Sequence, residues 1–128
     1  MKLEVLDKYS APVLRISVSL VFLWFGISQL TSPSDWTVFL PSWTSSLLIS
    51  QNVIIYFNGT FEVILGLALI LGIWTRLIAL VLSLHLFSIT LALGYGPLAV
   101  RDFGLALATF SIFLNGADWL CLIRKKKV

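Results

Sequence analysis

Four apolar stretches, each long enough to cross a bilayer as a helix, leave this chain little choice of architecture. A hydrocarbon core takes about 20 residues of helix, and within it every backbone N–H and C=O must be paired internally. Runs at about residues 12–30, 53–74, 76–93 and 100–122 meet that requirement. Hydrophobic residues make up 59% of the chain and charged ones 12%, against about 45–50% and 25% in soluble domains. The expected fold is all-α: one transmembrane domain over residues 1–128, a polytopic four-helix bundle in the lipid bilayer.

The positive charge is a matter of topology. A pI near 9.3 would suit a nucleic-acid binder, but the basic residues cluster at the ends of apolar runs, so no nucleic-acid partner is expected. With both termini cytoplasmic, Lys2, Lys8, Arg15, Arg76, Arg124, Lys125, Lys126 and Lys127 lie inside and only Arg101 outside. That bias orients the bundle N-in and C-in. The terminal basic run then contacts anionic lipid. Thr31-Ser32-Pro33 reads as a helix exit, with no small-residue cleavage site after the first run.

Residues 1–11 carry alternating charges and are expected at the membrane surface, with Pro12 opening the first helix. Between the first and second spans, residues 34–50 hold Trp36, Phe39, Leu40, Trp43 and Leu47 at helical steps. An amphipathic interfacial segment, broken near Pro41, is expected there.

Within the spans, polar residues recur on single faces. Arg15, Ser19, Phe22, Gly26 and Gln29 share one face of the first helix, and Asn58, Gly59, Glu62 and Gly66 one face of the second. His85 is central in the third. Arg101, Gly104, Ala108, Ser111, Asn115 and Asp118 form the most regular stripe, on the fourth. Such faces are expected to look at protein. Glu62 then sits about 13–14 Å deep, near the midplane.

A carboxylate at that depth needs a partner or a purpose. The candidate polar network is Arg15, Glu62, His85, Arg101, Asp102, Asn115 and Asp118. Depth allows Glu62 to meet His85, and Arg15 to pair with Asp118 or to extend toward Glu62. Two readings are open: ion pairs that hold helices in register, or a ligand, quinone or proton site around Glu62 and His85. One histidine and one glutamate are too few for a metal centre, so no metal is expected. A single histidine excludes a bis-histidine haem within the chain, and a single cysteine, Cys121, excludes a thiol–disulfide relay. Cys121 is expected to be inert.

Taken in order, Arg15 and Gly26, Glu62-x3-Gly66, Gly72-x2-Thr75-Arg76, Arg101-Asp102 and Gly116 resemble the DoxX family of small four-helix membrane proteins, over roughly residues 12–118. Gln29 departs from the pattern, since many members carry lysine there. The resemblance maps Arg15, Glu62, Arg76, Arg101 and Asp102 onto the family's polar positions. It implies an accessory or quinone-associated subunit of a membrane oxidoreductase system, without intrinsic cofactor and with quinone as the candidate ligand. Its partner would be a membrane or peripheral oxidoreductase subunit, or a second copy in a homo-oligomer. Two further expectations stay open. One is a membrane-protein chaperone or assembly factor. The other is a small proton-coupled transporter, against which the one-sided basic charge argues.

Overall fold

The computed structural model describes residues 3–124; Lys2, Lys125, Lys126 and Lys127, which enter the orientation argument, lie outside them. Four helices, α1 (Glu4–Thr31), α2 (Gln51–Leu71), α3 (Thr75–Leu93) and α4 (Pro97–Asn115), make up the fold. All four are long and apolar enough to span a membrane. They form two closely packed hairpins, α1 with α2 and α3 with α4, meeting along a looser seam.

The α1–α2 hairpin is tight because glycine faces glycine. A Cβ built on Gly26 would lie 2.8 Å from the Gly59 carbonyl oxygen, and one on Gly59 would lie 2.9 Å from that of Gly26. Small side chains do the same for α3 and α4: Ala79, Ser83 and Ala106 are fully buried, and Ser83 Oγ donates to the Ala106 carbonyl at 3.2 Å. Without a hydrophobic drive between helices in lipid, such close approach supplies much of the association. Phe22, Leu69, Leu82 and Ile112 fill the space between the hairpins.

Three features differ from the sequence expectation. First, α1 does not begin at Pro12 but runs through it, so that its 28 residues reach about 42 Å. Proline has no N–H to give the carbonyl four residues back. That carbonyl, Lys8 O, instead accepts from Trp119 Nε1 at 2.8 Å, and the Trp119 ring stands edge-on to Tyr9. Replacing Trp119 with phenylalanine is expected to lower stability by about 1 kcal/mol in an unfolding titration in detergent, with Trp119→Leu no better.

Second, residues 34–50 break near Pro41 as expected, but their helical steps are taken up by 3-10 turns, not α-helix. Short 3-10 turns at Pro33–Asp35, Thr37–Phe39 and Ser42–Ser46 follow one another, with an extended break at Leu40 and Pro41. Two prolines and a Ser/Thr-rich composition favour such local bonding over helix. Trp36 and Leu40 turn toward the bundle, while Trp43, Leu47, Leu48 and Ile49 stay exposed.

Third, α4 is displaced along the chain and rotated. It starts at Pro97 and stops at Asn115, where Gly116 takes φ +81°; residues 116–122 are therefore not part of the helix. Its buried face is Ala99, Asp102, Ala106, Thr109 and Ile112. Arg101, Gly104, Ser111 and Asn115 of the expected inward stripe are exposed, and Ala108 is half-buried. Small side chains allow this face to be the buried one: Ala106 meets Ser83 of α3, and Thr109 satisfies its hydroxyl on the Leu105 carbonyl of its own helix.

After Gly116 the chain folds back under α2. Leu122 N donates to Leu71 O at 3.1 Å and Ile123 N to Gly72 O at 3.2 Å. Gly72 ends α2 at φ +76°, with Gly72 N bonded to Leu69 O and Ile73 N to Ala68 O. A Cβ there would lie 2.5 Å from Cys121 Cα. Gly72→Ala combines left-handed strain with this clash and is expected to cost about 1–3 kcal/mol, read as a lower midpoint in the same titration.

Candidate functional site

The polar residues divide into two groups at different levels of the bundle. At the end away from the long connection, Arg15 is almost fully buried and serves three segments. Its Nε donates to Asp118 Oδ2 at 2.7 Å and its Nη2 to Oδ1 at 3.3 Å, while Nη1 bonds the carbonyls of Leu69 and Ile70. The last carbonyls of a helix have no intrahelical donor and carry its negative end. Here Arg15, the glycine turn and the returning chain together satisfy α2. Burial pushes the Asp118 carboxyl up, but the bonds from Arg15 and the Leu120 N–H outweigh it and hold the group below its usual value. This group is a structural lock. It does not extend to Glu62.

Cys121 is packed in the same place, its Sγ 3.3 Å from Thr75 Oγ1. Asn115 donates to the Gly116 carbonyl at 3.2 Å and belongs to the surface, not to the polar core.

The second group surrounds Glu62, which is 3% exposed. Asn58 Nδ2 donates to Glu62 Oε1 at 3.2 Å and to Gln29 Oε1 at 2.7 Å. Gln29 Nε2 donates to Glu62 Oε2 at 3.4 Å. His85 stands beside them, its Nε2 3.4 Å from Glu62 Oε1. The two are close but misaligned, and Nε2 is buried without a hydrogen bond among the described residues. The His85 ring rests on Phe61, with centroids 4.7 Å apart.

Gln29 and Asn58, turned inward by the helical-face reading but not assigned to the site, thus complete it. The signal for Asn58 was its place four residues before Glu62, where side chains on a helix meet. Gln29 supplies a neutral amide, not a cation, to the carboxylate. Among the described residues Glu62 has no permanent positive partner; the basic side chain beside it is His85, which is charged only if protonated.

Above Glu62 lies a cavity of about 330 Å³, lined by all four helices and roofed by Trp36, Phe39, Leu40 and Pro41 of the connection. Glu62, Asn58 and Gln29 form its polar floor. One wall is aromatic: Trp24, Phe25, Trp36 and Phe39 touch in sequence, with centroids 5.1, 5.5 and 5.7 Å apart. Arg101 and Asp102 line the cavity from α4, next to the aromatic wall. Arg101 Nη2 lies 3.0 Å from Asp102 Oδ1, and its guanidinium stands 5.2 Å from the Phe25 ring centre, bridging α4 to α1. Asp102 is buried and Arg101 half-exposed. Ile54, Ile55, Leu86, Ile89 and Leu105 supply the rest of the apolar lining.

Such a space, mostly apolar with a few convergent polar groups, is the form that small-molecule sites take. No group of three metal-ligating side chains occurs among the described residues. Comparison with curated proteins and with solved structures returned no match. The sequence model of the DoxX family covers residues 11–95, which hold Arg15, Gln29, Asn58, Glu62 and His85 but end before Arg101 and Asp102. On that match, which takes in α1, α2 and α3 whole but for the first turns of α1, the chain belongs to the DoxX family.

Proposed function

We propose that this multi-pass membrane protein is a quinone-associated accessory subunit of a membrane oxidoreductase system, binding the ring of its ligand above Glu62. The cavity carries the reading. Its aromatic wall suits a flat ring, and its floor supplies hydrogen-bonding groups at one point in an otherwise apolar space. At about 330 Å³ it is near the lower limit for ligand pockets, so it fits a ring and leaves a tail to run out among the helices into lipid. When bound, a quinone would supply the redox chemistry that the chain's own side chains lack. The chain's part is to hold the ring, set its polar edge against the floor of Gln29, Asn58 and Glu62, and keep water out beneath Trp36 and Phe39.

The basic-residue bias supports an orientation with both termini cytoplasmic, in which the cavity faces the outer half of the membrane. The exposed face of α4 with Gly104, Ser111 and Asn115 supports lateral contact with a partner subunit, because small and polar residues at lipid depth favour helix packing.

A photoreactive short-tailed benzoquinone added to the protein in nanodiscs tests the assignment. Labelling is expected on the segments of α1, α2 and the connection that line the cavity. Filling the cavity with Ile89→Trp is expected to reduce labelling at least about tenfold, equivalent to 1.4 kcal/mol of binding. Equal labelling of the filled variant would contradict the assignment.

A further inference from the structure

The hydrogen-bond polarity of the cavity floor carries information beyond the presence of a ligand. Each amide has two N–H donors. Both of Asn58's are committed, one to Gln29 Oε1 and one to Glu62 Oε1. Gln29 gives one of its two to Glu62 Oε2. The orientation of Asn58 is forced, because turning its amide over would set Oδ1 against two acceptor oxygens. Of the four amide N–H groups, three are spent within the floor, on Gln29 Oε1 and the two carboxylate oxygens, and one on Gln29 is left, against open lone pairs on Glu62, Asn58 Oδ1 and Gln29 Oε1. Glu62 has about four lone-pair positions, of which the amides fill one on each oxygen. His85 Nε2 is out of line and does not line the cavity. Elsewhere in the lining, Arg101 directs Nε and Nη2 at Asp102. What the floor presents to a ligand is a surplus of acceptors.

We propose that the floor reads a neutral hydroxyl, and so binds the reduced quinol in preference to the quinone. The inference rests on the quinone reading of the cavity and adds the redox form it selects. A quinol O–H donates into the open lone pairs of Glu62. A quinone carbonyl in the same place sets its own lone pairs against the carboxylate and leaves both unpaired, an arrangement buried polar sites reject strongly. A hydroxyl fits better than an ammonium, because a cationic ligand would share the cavity with Arg101.

The test is binding of a decyl-substituted benzoquinol, its quinone and decylammonium to the full chain in nanodiscs, anaerobically, by calorimetry. The quinol is expected to bind at least about tenfold more tightly than the quinone, which raises the midpoint potential of the bound couple by about 30 mV. Glu62→Gln, which keeps the shape but replaces an acceptor oxygen with a donor, is expected to bring the ratio to within about threefold. The potential measured on the unaltered protein is independent of how that variant folds. Equal binding of quinol and quinone would overturn the inference and leave the cavity assignment standing. Binding of neither would overturn both. A decylammonium affinity matching the quinol's, or an unchanged ratio in Glu62→Gln, would also overturn it.

Discussion

Replacing Arg15 with methionine is expected to destabilise the bundle by about 3–5 kcal/mol, the usual consequence of removing one partner of a buried ion pair. Asp118 would be left buried without a cation, and the carbonyls of Leu69 and Ile70 would lose their donor. Asp118→Asn is expected to cost less, because its amide oxygen still accepts from the guanidinium. The double change Arg15→Met with Asp118→Leu is expected to recover a large part of the loss, since apolar replacements of buried pairs are often neutral. Unfolding in mixed detergent micelles reads all three. Equal stability of Arg15→Met and the unaltered chain would show that residues 116–124 do not close the bundle as described.

Gly26→Val should act at the other level. Its Cβ would fall 2.7 Å from Val63 Cγ2 and 2.8 Å from Gly59 O, and a backbone oxygen cannot turn aside. Overpacking of this kind costs about 1–3 kcal/mol, and here α1 and α2 must separate to accommodate it. Gln29 lies one turn from Gly26 and Asn58 is next to Gly59, so separation lengthens their 2.7 Å hydrogen bond. Loss of stability and at least about tenfold weaker ligand binding are expected together. The control is Gly104→Ala, where nothing lies within 4 Å of the added carbon; it is expected to change stability by less than about 0.5 kcal/mol. A variant at Gly26 that binds normally would uncouple the crossing from the site.

What could be read from the residues and what could not differ for physical reasons. Arg15, Glu62 and the glycines of the first two spans stand out because polarity and missing side chains are conspicuous in apolar helices, and each constrains packing on its own helix. The fourth span was harder. Its polar stripe is regular, but the buried face is the one with Ala106 against Ser83 of α3, and that contact depends on the partner's shape. Asn115-Gly116 held a stop signal that the continuing periodicity masked. Lys8 and Trp119 are 111 residues apart, and nothing local to Pro12 says which donor fills the gap it leaves. The pairing of Gln29 with Asn58 similarly requires two helices in register. The cavity exists only once four helices and the connection are assembled around it.

The most direct test of the account is a structure of the protein in lipid nanodiscs with the decyl-substituted benzoquinol. Ring-shaped density above Glu62, against Trp36 and Phe39 and with an oxygen in hydrogen-bond reach of the carboxylate, is the expected result. An empty cavity at saturating quinol, or a ring bound elsewhere, would contradict it.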